Sequence, residues 1–173
     1  MNTPAPTVSL THVWAALDTL TDPEIPVVTL REMGILRDVR YAPDGHTVDV
    51  VITPTYSGCP AMEQIEDDVL ATVTALGLEA RVLTQLAPAW TTDWMTEAAR
   101  EKLRDYGIAP PAACGQTTQV ILFARHSGPP DEVTCPQCGS HDTTETSHFG
   151  STACKALYKC LHCAEPFDYF KPY

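Results

Sequence analysis

Long apolar stretches are missing from this chain. Its longest apolar runs, Val13–Leu17 and Val120–Ala124, have five residues each, against roughly 20 for a membrane-spanning helix. No membrane partner is expected. From Met1 to Ser9 there is neither a cationic segment nor an apolar stretch, so a secretory leader is not expected either. Basic residues are also scarce: 11 Lys and Arg face 22 Asp and Glu, for a net charge of −11. The imbalance reaches the C-terminal end, where residues 131–173 hold six acids and three lysines. No cationic stripe is left to neutralise phosphates, which argues against a nucleic-acid partner. Patterns for a Ser-His-Asp triad, a phosphate loop or a zinc-protease helix are absent too, so nothing here requires an enzyme.

What is present suits an ordinary domain with a small appendage: 173 residues, 44% of them hydrophobic, and 15 prolines that cluster in loops. Seven cysteines in a chain with no secretory leader point to thiols and metal rather than disulfides, and to the cytoplasm.

Periodicity gives the order of elements. Leu10, Val13, Trp14, Leu17 and Leu20 recur at helical spacing, with Ser9 or Thr11 as the cap and Asp22-Pro23 as the stop. Residues 35–41 and 48–52 alternate around the turn Ala42-Pro43-Asp44-Gly45, which predicts a hairpin. A loop, Thr53 to Pro60, leads to a helix with Met62, Ile65, Val69, Val73 and Leu76 as its apolar stripe and Gly77 after its end. Leu78–Leu86 reads as a third strand, and about Asp93 to Tyr106 as a capped helix. The sum is α-β-β-α-β-α, an α/β sandwich over residues 1–108. A Pro-rich linker, 109–130, follows, in which Val120–Ala124 could form a short strand. Residues 131–173 make a small ribbon.

The strongest motif lies in that ribbon. Cys135-Pro136-Gln137-Cys138-Gly139 and Cys160-Leu161-His162-Cys163 are two CxxC knuckles with 21 residues between them. Two thiolates separated by two residues grip one side of a tetrahedral ion, and a hairpin returns the other two. Four soft ligands suit zinc, mononuclear iron or an iron–sulfur cluster. Four cysteines also leave no open position, so a structural zinc is expected. His141, His148 and His162 are competing ligand types, with His162 expected at the surface. Cys154 reads as a buried small side chain, or else as an alternate ligand or a redox-sensitive thiol.

A second candidate is Cys59. Pro60 suits a first helical position, which would put the Cys59 thiol at a helix N-terminus, where amides and dipole lower a thiol pKa. It reads as a transient metal or cluster ligand or a reactive thiolate, or else as a residue filling a tight turn. Asp22 and Glu24, flanking Pro23, read as a capped turn or as hard ligands near the same helix end. Tyr56, Trp90 and Trp94 are expected to pack rather than bind.

These residues carry a resemblance. Asp22-Pro23-Glu24-Ile25-Pro26, the Leu30–Ile35 segment and Thr53-Pro54-Thr55-Tyr56-Ser57-Gly58-Cys59-Pro60 resemble the MIP18 family of iron–sulfur assembly proteins. The stretches Ala87–Met95, Phe149–Tyr158 and Glu165–Lys171 are similar to a branch of that family that accompanies a di-iron oxygenase converting phenylacetyl-CoA to its ring epoxide. The resemblance implies a MIP18-like α/β domain with an appended zinc ribbon. It also implies an accessory role in which Cys59, with Asp22 and Glu24, holds iron or a cluster transiently. The implied partners are the epoxidase's iron–sulfur reductase and its other components, together with a homodimer through the α/β domain. Two other readings stand beside it: a zinc-stabilised bridging subunit that handles no metal for its clients, and a thiol-dependent hydrolase using Cys59. Cys114, in the linker, acquires no role.

Overall fold

The computed structural model describes residues 8–111 and 133–173. Most of the expected linker, with Cys114 and Val120–Ala124, lies outside the described residues. Backbone contacts divide the chain into two units. One runs to Trp90 and includes Trp94–Ala99; the other takes Thr91–Asp93 and Arg100–Tyr173.

In the first unit, helix α1 (Leu10–Leu17) starts where the Ser9 hydroxyl accepts the His12 N–H, and it buries Val13 and Leu17. One carboxylate oxygen of Asp22 accepts the N–H groups of Glu24 and Ile25, at 2.8 and 3.1 Å. That tight turn folds β1 (Thr21–Asp22) back on β2 (Ile25–Thr29), a small hairpin not visible in the periodicity. Strands β3 (Leu36–Tyr41) and β4 (Thr47–Ile52) form the expected antiparallel hairpin. Its turn is tied by Asp44, which accepts the N–H groups of His46 and Thr47 and the Thr47 hydroxyl.

Helix α2 (Met62–Ala75) buries Ile65, Val69 and Val73 and crosses over to β5 (Glu79–Thr84), which runs parallel to β4. A parallel pair requires such a crossover. The sheet order is β3-β4-β5, with α1 on β3, α2 on β5 and the two helices in contact. Val48, Val50, Ile52, Val13, Leu17 and Val69 are fully buried at the centre of this unit. Gly34 is required where it stands: its φ is +73°, and a Cβ there would lie 2.7 Å from the Trp94 Cβ.

The helix expected from Asp93 divides. A 3-10 turn, Thr92–Trp94, precedes α3 (Glu97–Asp105). The helix starts late because the Thr96 hydroxyl, rather than Asp93, accepts an N–H, that of Ala99.

In the second unit a four-stranded sheet has the order β6-β9-β8-β7, from β6 (Ile108–Ala109), β7 (Thr143–Ser147), β8 (Lys155–Cys160) and β9 (Pro166–Phe170). The three ribbon strands are antiparallel, while β6 adds in parallel to Asp168 and Tyr169. That pairing groups Arg100–Ile108 with the ribbon, although the sequence reading places them in the first domain. Buried Arg100 reinforces the grouping by donating to the carbonyls of Pro111 and Thr92, both at 2.7 Å. The core is small: Ala109, Val133, Ala156, Tyr158, Phe167 and Tyr169 with Cys135 and Cys160.

Candidate metal centre and the Cys59 loop

Each knuckle in the second unit is shaped by its own backbone. The Cys135 N–H donates to the Ser140 carbonyl and the Cys160 N–H to the Glu165 carbonyl, both at 2.9 Å. The two knuckles thus repeat one loop closure, from the first cysteine to the fifth residue after it. Each also needs a left-handed residue after its second cysteine. Gly139 adopts φ +75° at no steric cost, whereas the matching position is Ala164 at φ +66°.

Together they bring four sulfurs to one point. The Sγ atoms of Cys135, Cys138, Cys160 and Cys163 all lie within 4.8 Å of one another. The cross-knuckle pairs are 3.8 Å apart for Cys135–Cys163 and 3.6 Å for Cys138–Cys160. Four sulfurs about 2.3 Å from a central zinc would be spaced about 3.8 Å apart along the edges of the tetrahedron. The donor set therefore fits a tetrahedral thiolate-bound ion and leaves no open coordination position.

The thiols are unequal. Cys160 is drawn down to about 6, chiefly by the N–H of Cys163, which points at its sulfur at 3.4 Å, and then by the N–H of His162. Cys163 receives the Glu165 N–H, yet burial and the neighbouring sulfurs push it up to about 12. Cys138 is raised as well, despite the Ser140 N–H, by burial and by the sulfurs of Cys160 and Cys135. A cation held by Cys135, Cys138, Cys160 and Cys163 would offset this repulsion between crowded sulfurs and favour their thiolate forms.

Cys154 stands outside this group. It is buried, with its sulfur 2.9 Å from the Thr152 hydroxyl, as a small core side chain would be. None of His141, His148 or His162 joins the four sulfurs.

The first unit holds the other expected residues. Cys59 is half-buried in the loop before α2. Pro60 does not occupy the first helical position: α2 begins at Met62, with Ala61 as its cap residue. Two consecutive turns cause the delay, one closed from the Cys59 N–H to the Tyr56 carbonyl, the next from the Met62 N–H to the Cys59 carbonyl. Asp22 is buried and half-buried Glu24 follows it in the β1–β2 turn. Among the described residues, the four ribbon cysteines are the one group of three or more metal-ligand side chains within reach of a single ion. Cys59, Asp22 and Glu24 do not form such a group.

One residue of this loop went unremarked in the sequence. Thr53 is fully buried, and its hydroxyl has no hydrogen-bond partner among the described residues. Nothing in the local sequence signals it. Trp90 and Trp94 pack as expected: the Trp90 indole N–H donates to the Met33 carbonyl at 2.9 Å, and the Arg37 guanidinium lies 3.6 Å over the Trp94 ring.

Comparison with known proteins finds one family match within each unit. Residues 10–84 match the family profile described as iron–sulfur cluster assembly protein, and residues 123–171 match the PaaD zinc beta ribbon domain. A relative from Escherichia coli K12 is 49% identical over 92% of this chain and 91% of its own length; it is provisionally named as a subunit of 1,2-phenylacetyl-CoA epoxidase. Among solved structures, a domain of unknown function from Bacillus anthracis shares 26% identity, covering 54% of this chain and 89% of its own, with a TM-score of 0.49. A conserved hypothetical protein from Thermotoga maritima shares 24%, covering 56% and 94%, with a TM-score of 0.47. The mixed α/β unit with its loop cysteine and the ribbon with its four clustered thiols thus correspond to two recognised domains in one order, and the chain belongs to the PaaD family, in which an iron–sulfur cluster assembly domain precedes a zinc β-ribbon.

Proposed function

We propose that this protein is a non-catalytic accessory of a phenylacetyl-CoA epoxidase system, and that it assembles or delivers iron–sulfur or iron centres for the reductase or oxygenase components. In this reading a structural zinc sits among Cys135, Cys138, Cys160 and Cys163, and the cargo is held transiently at Cys59 with Asp22 and Glu24. The observation that carries the reading is a division of thiols. The closed set of four lies outside the assembly-type domain, while Cys59, partly exposed on a loop, lies inside it. Cargo that must leave again calls for few ligands and an accessible one, which four buried or crowded thiolates are not. The name of the Escherichia coli relative supplies the partner system. A homodimer through the first unit belongs to the same reading.

Anaerobic reconstitution with iron and sulfide tests it. Visible absorption should appear, be lost in Cys59→Ala and persist in Cys135→Ser. A wild-type chain that takes up no iron under these conditions refutes the carrier role.

One observation favours a second reading, a zinc-stabilised bridging subunit. The Asp22 carboxylate is already engaged by two backbone N–H groups, and it is not grouped with Cys59 as a ligand set. Metal analysis of protein purified anaerobically separates the two: zinc alone supports bridging, whereas zinc with iron supports delivery.

A further inference from the structure

The ribbon sheet has two faces of opposite character. Residues in register share a face of a sheet. Tyr158 with Phe167, and Ala156 with Tyr169, point into the small core. The other face carries Leu157 opposite Asp168 and Ser147, and Lys159 opposite Pro166 and Thr144. On this outer face Leu157 and Lys159 are exposed.

The loop after β7 lies against the same face: a Cβ on Gly150 would come 3.1 Å from Asp168 Oδ1 and 3.3 Å from the Lys155 Cβ. That loop presents Phe149, which is 64% exposed. Its backbone is tied down by the Ser147 hydroxyl donating to the Phe149 carbonyl and by the Gly150 N–H donating to the Lys155 carbonyl, both at 2.8 Å. The Lys171 ammonium sits 4.6 Å from the Phe149 ring and donates to the His148 carbonyl. An exposed phenylalanine on a loop with that many ties is held out in the open rather than left there by disorder.

Charge is sorted in the same way. The three lysines of residues 131–173 all belong to this face or its loop: Lys155, Lys159 and Lys171. Lys155 is neutralised by Asp168 at 3.7 Å. Neither Lys159 nor Lys171 has a carboxylate within ion-pair distance among the described residues, in a chain of net charge −11. Glu145 is shared between the Tyr158 hydroxyl, at 3.3 Å, and His148 Nδ1 in the loop, at 3.4 Å, so its carboxylate is taken up by neither lysine. Two cations without a carboxylate partner thus flank an exposed leucine and an exposed phenylalanine. They are too few to hold nucleic acid against salt. They suit the rim of a protein contact, where charge sets orientation and an aromatic anchor supplies affinity.

We infer that this outer face of the ribbon, centred on Phe149 and Leu157 with Lys159 and Lys171 at its rim, docks a partner protein whose surface has an apolar centre ringed by carboxylates. The inference rests on the accessory reading only for the choice of partner to try.

The test uses the zinc-loaded full-length chain and each purified component of the phenylacetyl-CoA epoxidase, with binding followed by interferometry at 50 and 200 mM salt. Phe149→Ser with Leu157→Ser, and separately Lys159→Glu with Lys171→Glu, should each weaken binding to one component at least tenfold. Wild-type binding should also fall with salt. Leu86→Ser, another exposed apolar side chain, should bind as wild type. Zinc content and thermal melting confirm that every variant is folded. Face variants that bind as well as wild type would overturn the inference and leave the accessory role standing. Failure of every component to bind the wild type would overturn both. Wild type that sediments as a dimer and becomes monomeric in the face variants, or that binds phosphatidylserine vesicles through this face, would also overturn it.

Discussion

The two units of this protein reach a fixed structure by different means. The first is held by apolar burial: branched side chains from α1, α2 and β4 are wholly removed from water, and each fully buried Val or Leu contributes roughly 1.5–3 kcal/mol. The second buries a handful of aromatic residues against two sulfurs. A core of that size does not offset the conformational entropy of ordering its chain. An ion gripped by the four thiolates would supply what is missing, since structural zinc binding is worth about 10–16 kcal/mol in small zinc-finger peptides. A domain stabilised by area tolerates the loss of any one contact, whereas a domain stabilised by one ion does not.

Chelation is the largest expected effect and the most direct way to break the comparison. Stripping the ion should abolish the near-UV signal of Tyr158 and Tyr169 while the first unit keeps its own cooperative melting transition. A single transition lost as a whole would show that the units are not energetically distinct.

Gly34→Ala probes the first unit at its tightest point. The added methyl meets the Trp94 Cβ and backbone at 2.7–3.1 Å, at φ +73°. A loss of about 3 kcal/mol is expected from urea denaturation, combining left-handed strain with overpacking.

Ala164→Gly should act in the opposite direction on the ribbon. Relieving φ +66° is worth about 1 kcal/mol, read as a higher melting temperature of the metal-loaded ribbon.

The smallest effect is a pH dependence in the β3–β4 turn. Asp44 falls from its ordinary 3.8 to about 2, because it accepts the His46 N–H, then the Thr47 N–H and hydroxyl. A carboxyl lowered on folding stabilises fully above its unfolded value, and the benefit is lost as pH drops through about 2. Asp44→Ala should therefore lower the melting temperature slightly at pH 7 and make no difference near pH 2.

What the sequence made legible was local. Ser9 as a cap, the Ala42–Gly45 turn and the stripe Ile65, Val69, Val73 all act within one turn or one hairpin, and each appears in the structure. The four-cysteine centre was equally open to reading, because a two-residue spacing constrains the sulfurs directly. The relations that stayed hidden depend on side chains reaching beyond their neighbours' periodicity. Asp22 bends the chain into the β1–β2 hairpin through one oxygen, and Thr96 takes over as the α3 cap from Asp93. The left-handed Ala164 could have been anticipated only by aligning Cys160–Ala164 with Cys135–Gly139 inside the chain. The reading of Asp22 and Glu24 as ligands near the helix end that carries Cys59 rests on no local pattern, and the three do not gather into one ligand group.

The two-residue strand β6 has a consequence for how such a protein can be inherited. Ile108 and Ala109 complete the edge of a sheet whose other strands begin more than thirty residues later. A gene rearrangement that moved only the cysteine-bearing segment would leave Asp168 and Tyr169 with unsatisfied backbone groups along an open edge, free to pair with whatever strand they met. The ribbon therefore does not travel as a cassette cut at its first cysteine. A recombination that preserves this edge has to break the chain upstream of Ile108, or carry both domains together.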